Sequence, residues 1–137
     1  MLPFEDDGKS AKKTAPKIRG KAKGACVCGR VQLEIDLPAF WAWHDHSRAT
    51  QRAQGSAYAT YIGVWRSRLR IVKGDSSVTR YEDKATKSVR SFCAHCGTPL
   101  TFERGRAKSM VDIPRALFDG RTGREPIYHR AIEEAPE

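Results

Sequence analysis

The chain has 137 residues, 39% of them hydrophobic, with a mean hydropathy of −0.60 and a formal net charge of +9. A chain of this length and composition is enough for one domain with a small core. No apolar run approaches the roughly 20 residues of a membrane-spanning helix, and residues 1–7 do not resemble a secretory leader. We therefore expect a cytoplasmic protein without membrane contact, and the positive charge favours anionic partners.

Residues 1–23 are rich in Lys, Ala, Gly and Pro and hold almost nothing to bury. This composition predicts a basic flexible arm, followed by a folded domain over residues 24–137. Such an arm can bind nucleic-acid phosphates through counterion release. No aromatic residues lie between its lysines to stack on bases, so the sequence favours a solubilising role over nucleic-acid binding.

The rest of the chain reads as a series of short strands. Residues 31–37 alternate apolar with polar side chains, as a half-buried strand does, and Pro38 ends the pattern. Residues 40–55 show no clean period. Further strands are predicted at residues 57–65, 69–72, 78–81, 89–92, 100–102, 110–113 and 127–132, with one helical turn at residues 114–118. Short strands at regular spacing predict an all-β fold.

The four cysteines of the chain form two close pairs, each followed by a glycine. Cys26 and Cys28 are a C-x-C pair, and Cys93 and Cys96 a C-x-x-C pair. Two such pairs supply the four thiolates that structural zinc prefers, and His95 is then a solvated bystander. Two alternatives remain open, a pair of disulfides or a redox C-x-x-C motif. Neither a secretory leader nor a βαβ pattern around Cys93 supports them.

Two segments carry a resemblance to a known family. They are residues 24–31 (GACVCGRV) and 92–100 (FCAHCGTPL), with Gly55-Ser56-Ala57 and Gly74-Asp75 between them. In this order they resemble the glutathione-dependent formaldehyde-activating enzyme (GFA) family, which includes the centromere protein V domain. The resemblance runs from about residue 24 to residue 132. It implies a β-tent fold of small antiparallel sheets, carbon–sulfur lyase activity, and one structural zinc on Cys26, Cys28, Cys93 and Cys96.

The resemblance also implies a second zinc, held by a C-H-C-x-x-C segment shortly before the glycine that matches Gly55. That zinc keeps an open position for the thiol of glutathione. In this chain the three cysteine positions hold Asp45, Ser47 and Thr50, while His46 stands at the histidine of the motif. Hydroxyl groups are poor zinc ligands. We therefore expect the second, catalytic site to be degenerate.

The segment around that site still offers candidate catalytic residues, namely His44, Asp45, His46 and Ser47. In an extended segment His44 and His46 share a face, and with His129 they are candidates for a replacement metal site. Acid–base work by His46 is a further hypothesis. Asp45 would not orient His46 directly, because neighbouring residues of a strand point to opposite faces.

Arg48 and Arg52 flank the same segment and are candidates for binding the carboxylates of an acidic ligand. The aromatic residues nearby are more typical of core and pocket wall than of chemistry. They are Trp41, Trp43, Tyr58, Tyr61 and Trp65.

Two hypotheses for function follow. The first is a GFA-type enzyme that acts on a glutathione adduct or a related small anion. The second is a non-catalytic, zinc-stapled module that binds a small molecule, a protein or, through the arm, nucleic acid.

Overall fold

The computed structural model describes residues 19–136. Within them the chain forms ten strands, one α-helix and four short 3₁₀ turns. The strands are β1 (Lys21–Ala25), β2 (Gln32–Asp36), β3 (Trp41–Asp45), β4 (Ala59–Trp65), β5 (Leu69–Lys73), β6 (Val78–Asp83), β7 (Ser88–Cys93), β8 (Pro99–Glu103), β9 (Met110–Pro114) and β10 (Tyr128–Arg130). The helix α1 spans Arg48–Gln54, and the 3₁₀ turns span Arg66–Arg68, Asp75–Ser77, Arg115–Leu117 and Ile132–Glu134. No helix in this range is long and apolar enough to cross a membrane.

The strands form two sheets, which confirms the all-β prediction. The small sheet has the order β1-β2-β5, and the large sheet has the order β10-β3-β4-β9-β8-β7-β6. Every neighbouring pair is antiparallel except β10 with β3, which run parallel. The seven-stranded sheet is larger than the small sheets that the resemblance implied. Because β1 leads into Cys26 and β7 ends at Cys93, the two sheets meet at the cysteines.

The folded domain begins earlier than residue 24, so the predicted boundary of the arm needs correction. Residues 21–23 belong to β1, which pairs with β2 and buries Ala22 opposite Ile35. The lysines of β1 point outward, while Ala22 and Gly24 face the core. A Cβ on Gly24 would lie 2.9 Å from the carbonyl oxygen of Leu117, so this strand has room only for small inner residues. The arm's remaining residues 1–18 lie outside the described residues.

Residues 40–55, for which the sequence predicted no element, contain both β3 and α1. Three of the five residues of β3 are buried, on both faces, so the strand shows no alternation. The helix has recognisable ends. Ser47 accepts a hydrogen bond from the N–H of Thr50 at its start, and Gly55 adopts a φ of 66° at its end. These capping signals were present in the sequence and were missed.

The interior consists of two clusters of buried side chains. The larger cluster packs the small sheet against one face of the large sheet, and its fully buried members include Leu33, Ile35 and Ile113. The smaller cluster lies on the other face of β3 and β4, around Trp43 and Tyr61. This second face carries the Asp45 and Tyr61 side chains described below, whereas Cys26 and Cys93 belong to the larger cluster.

A buried carboxylate lies in β9 without a well-oriented hydrogen-bond partner. Asp112 is 1% exposed, and its nearest cation is the Nε of Arg104, 3.2 Å from Oδ2. Burial raises the pKa of Asp112 to about 7, against the opposing effect of the Arg104 charge. The charged form is therefore less favourable in the folded chain than in the unfolded chain, where the pKa is about 4.

We expect Asp112→Asn to change how stability depends on pH. The stabilisation from protonated Asp112 is complete below about pH 4 and is lost as the pH rises through about 7. Asparagine has no such titration. The variant should therefore gain stability relative to the wild type, on the order of 2 kcal/mol, between pH 5 and pH 8. Urea unfolding of both proteins at the two pH values measures this difference, and a constant difference would contradict the assignment.

Candidate metal centre and adjoining cavity

The structure brings the four cysteines together at the junction of the two sheets. All four Sγ atoms lie within 4.8 Å of one another, and all four thiols are free. The Sγ of Cys28 lies 3.5 Å from that of Cys26 and 3.8 Å from that of Cys93. A tetrahedral zinc with Zn–S bonds of about 2.3 Å requires S···S distances of about 3.8 Å. The donor set and its spacing therefore fit a four-thiolate zinc site and do not fit two disulfides.

The backbone around each cysteine pair forms a tight turn. The N–H of Gly29 donates to the carbonyl of Cys26, and the N–H of Gly97 donates to that of Cys93. Both glycines have a φ near 80°, at 78° and 79°, where side chains are disfavoured. The N–H of Val31 adds a hydrogen bond to the Sγ of Cys26 at 3.3 Å. Such N–H donors stabilise the thiolate form that a metal requires.

Thr98 links the two cysteine turns, a role that the sequence reasoning did not assign. Its hydroxyl oxygen accepts a hydrogen bond of 3.1 Å from the N–H of Val27 and lies 3.1 Å from the Sγ of Cys96. The hydrogen bond from this hydroxyl, together with one from the Thr98 backbone, lowers the pKa of Cys96 to about 5. His95 is exposed and is not part of the group, as expected for a bystander.

The residues at the second-site positions are bonded to one another. One carboxylate oxygen of Asp45 accepts from the backbone N–H of Ser47 at 3.0 Å, and the other accepts from the hydroxyl of Thr50 at 2.7 Å. The hydroxyl of Ser47 caps α1 by accepting from the N–H of Thr50. Asp45 and Thr50 are both buried. The side-chain oxygens at these positions are thus engaged in hydrogen bonds to one another. They do not fit the second zinc that the resemblance implied.

Arg90, in strand β7, joins this network through Thr50. Its Nη2 donates to the hydroxyl of Thr50 at 3.1 Å, and its Nη1 donates to the hydroxyl of Tyr61 at 3.2 Å. The guanidinium also stacks 4.0 Å above the ring of Phe102. No ion pair within residues 19–136 includes Arg90. Its charge is therefore separated from the Asp45 carboxylate by the Thr50 hydroxyl and lacks a direct counter-ion in the described part of the chain.

A cavity of about 240 Å³ opens beside Arg90. The hydroxyl of Tyr61 accepts hydrogen bonds from Gln54 and Arg90, which leaves its own hydrogen free to donate. Gly97 also lines the cavity, so the cavity reaches the second cysteine turn. Its remaining lining is mostly apolar and includes Phe92, Pro99 and Pro114. Arg90 was missed in the sequence because no local motif marks it, and it meets the site only through folding.

The three candidate histidines do meet in space. The Nε2 of His46 lies 2.9 Å from the Nδ1 of His129, whose ring centroid lies 5.0 Å from that of His44. The Nδ1 of His44 is bonded to the hydroxyl of Thr60 at 2.8 Å. Burial is the main cause that lowers the pKa of His44, and the nearby His129 and His46 lower it further. Within the described chain the four cysteines are the one group of three or more such residues placed to hold a metal ion, so these histidines do not form a comparable group.

The other candidates are placed away from the cavity. Arg48 and Arg52 lie on the exposed side of α1, and neither lines the cavity. The guanidinium of Arg48 donates to the side chain of Gln51.

Both carboxylate oxygens of Asp45 are engaged by residues 47 and 50, so Asp45 does not orient His46. Among the aromatic residues, Trp43 and Tyr61 are buried as predicted for core and pocket wall.

Comparison with known proteins gives one family and one similar structure among those found. The model of the GFA family, described as glutathione-dependent formaldehyde-activating enzyme, matches residues 21–134. A Rhodobacter sphaeroides protein of known crystal structure aligns with a TM-score of 0.65 at 23% identity, over 79% of this chain and 99% of that chain. At this identity the structural match supports the fold alone. No curated protein matches the chain.

We expect Cys93→Ser to abolish folding of the domain. Cys93 is fully buried, and structural zinc contributes about 10–16 kcal/mol, which exceeds the stability of most small domains. Circular dichroism and zinc analysis of the purified variant measure the effect, with His95→Ala as the matched control from the same turn. A cooperative thermal transition within a few degrees of the wild type in the absence of zinc would rule out the structural role.

We expect Thr98→Val to weaken metal binding while Thr98→Ser preserves it. Valine removes the hydroxyl that contacts both cysteine turns but keeps the side-chain shape. Loss of a partner behind a metal ligand typically lowers metal affinity by about 10–100-fold. Competition with a chromogenic zinc chelator measures the affinity. Equal affinities for the valine and serine variants would show that the hydroxyl does not contribute.

Proposed function

The chain belongs to the glutathione-dependent formaldehyde-activating enzyme family, and from this premise we propose that it binds a small anionic ligand, such as glutathione or a glutathione adduct, beside Arg90. One structural zinc, held by Cys26, Cys28, Cys93 and Cys96, stabilises the domain. The proposal rests on one observation. At the second-site positions, a hydrogen-bonded network of Asp45, Ser47 and Thr50 ends in a guanidinium that has no direct counter-ion among residues 19–136.

The zinc, when bound, supplies the tetrahedral cross-link between the two sheets, and its four thiolate ligands leave no open position for chemistry. The network at the second-site positions offers no thiol. For this reason we propose ligand binding rather than carbon–sulfur lyase turnover as the activity of this chain. Four cysteines that bind zinc rather than form disulfides are typical of a reducing compartment, which supports a cytoplasmic location.

The cavity suits one end of a ligand with a carboxylate group. Its volume of about 240 Å³ is below the 300–1,000 Å³ or so that is usual for pockets enclosing drug-sized ligands. A guanidinium has five N–H donors, so Arg90 keeps free donors after bonding Thr50 and Tyr61. The free hydrogen of the Tyr61 hydroxyl adds a further donor. Together these groups match the acceptor-only chemistry of a carboxylate.

We expect Arg90→Ala to weaken glutathione binding by at least about tenfold, because charge-assisted hydrogen bonds contribute about 1.5–3 kcal/mol each. Arg90→Lys should recover only part of the affinity, since it keeps the charge without the planar fork. Arg52→Ala, an exposed arginine outside the cavity, is the matched control and should bind as the wild type does. Isothermal titration calorimetry measures the affinities.

Zinc analysis of the same protein preparations completes the test. One zinc per chain in the wild type and in Asp45→Asn agrees with the proposal. A second equivalent of zinc that disappears in Asp45→Asn, or glutathione binding that is indifferent to Arg90→Ala, would overturn it.

A further inference from the structure

A row of aromatic rings and arginines lies on a surface that shares no lining residue with the cavity beside Arg90. The ring of Phe40 lies between those of Trp65 and Trp41, with centroid distances of 5.3 and 5.0 Å. The ring of Trp41 is followed by that of Trp43 at 5.1 Å. Tyr128 lies beside Trp43 in the register of β10 with β3. We call these five residues and the flanking Arg68, Arg104, Arg124 and Arg130 the aromatic–arginine strip.

Three of the five rings of the strip are exposed to solvent, while Trp41 is half-buried and Trp43 is buried. Phe40, Trp65 and Tyr128 are 47%, 40% and 64% exposed. Large exposed aromatic side chains that adjoin one another mark a binding surface more often than a passive one. The absence of a side chain at Gly63 makes room for the indole of Trp41 on this surface. A Cβ on Gly63 would lie 1.9 Å from the Nε1 of Trp41, which covers that glycine.

Arginines stand at both ends of the row. A cleft of about 510 Å³ at one end is lined by Arg104 and Arg130, whose Cζ atoms lie 5.2 and 5.5 Å from the ring centroid of Trp43. A cleft of about 140 Å³ at the other end, beside Trp65, is lined by Arg68 and Arg124.

These guanidiniums are largely free to meet an anion. Arg104 faces the buried Asp112 through its Nε. No ion pair between described side chains includes Arg68, Arg124 or Arg130. The Nε of Arg124 donates to the carbonyls of Ala39 and Phe40, which fixes the guanidinium beside the row of rings.

We propose that the aromatic–arginine strip binds single-stranded nucleic acid. Exposed aromatic rings stack on unpaired bases without regard to sequence, and cations beside them contact the phosphates. In the strip Phe40, Trp65 and Tyr128 offer such exposed rings. A duplex already stacks its bases internally, and a single mononucleotide would occupy only one of the two clefts. The net charge of +9 adds long-range attraction for a polyanion. The strip is distinct from the N-terminal arm, which lacks aromatic residues among its lysines.

The chain provides a direct optical signal for this proposal. Its three tryptophans, Trp41, Trp43 and Trp65, all lie in the strip. Bases that stack there should quench the intrinsic tryptophan emission, whereas phosphates held by the arm should not. The experiment titrates the full-length protein with a single-stranded oligothymidylate of about 12 nucleotides, a length within the site sizes typical of single-strand binding. It follows both emission and the anisotropy of a labelled strand at several salt concentrations.

We expect quenching that parallels the anisotropy change and an affinity that falls steeply with salt. Tyr128→Ala should raise the dissociation constant about fivefold or more, while Tyr128→Phe, which keeps the ring, should not. Arg130→Ala should also weaken binding and lower the salt dependence. Arg106→Ala removes an exposed arginine outside the strip and is the charge-matched control. Tyr128 and Arg130 are exposed in β10, and thermal melting verifies that their variants remain folded.

Several outcomes would overturn the proposal. Binding without quenching, or binding indifferent to both Tyr128→Ala and Arg130→Ala, would assign it to the arm. Equal quenching by thymidine monophosphate at the same nucleotide concentration would assign a mononucleotide pocket. Equal or tighter binding of a duplex of the same length would exclude single-strand recognition, and the absence of any binding at low salt would exclude a nucleic-acid surface altogether.

Discussion

The junction of four thiols at Cys26, Cys28, Cys93 and Cys96 is the constraint on which the rest of the structure depends. The two cysteine pairs come from different sheets and from positions 65 residues apart in the chain. A 137-residue chain with 39% hydrophobic residues buries a modest core, and a metal that joins such distant segments removes much of the entropy of the unfolded chain. Thr98 strengthens the junction, because its hydroxyl contacts both turns directly.

On the face of β3 and β4 around Trp43 and Tyr61, hydrogen bonds rather than thiols occupy the second-site positions. Asp45, Ser47 and Thr50 at the second-site positions are hydrogen-bonded to one another. The bond from the N–H of Ser47 to Asp45 also anchors the start of α1. A buried carboxylate is costly unless it is satisfied, and here two donors satisfy it. The positive charge that remains at this place belongs to Arg90, which cannot bind a thiol as a Lewis acid but can bind a carboxylate.

The strands with one exposed face and the cysteine pairs were predictable from the sequence, because alternation and spacing are local signals. The alternation of residues 31–37 predicted β2, and the spacing of the C-x-C and C-x-x-C pairs predicted the metal centre. Strand β3 was not predictable, since it buries side chains on both faces, and the inner face of β1 is made of small residues between lysines. Arg90 and the order of the aromatic rings depend on strand pairing between distant segments. No local pattern encodes such pairing.

The large sheet therefore carries two cationic surfaces that differ in how their charge is held. Arg90 is half-buried and oriented by Thr50, Tyr61 and Phe102, so it is preorganised for one small ligand at a fixed position. Arg68, Arg124 and Arg130 of the strip are exposed and stand beside aromatic rings, which suits the extended ligand proposed for it. Rigid placement favours selectivity for a carboxylate, whereas exposed placement favours a repeated phosphate backbone. The distribution of the +9 charge, more than its size, thus separates the two proposed binding modes.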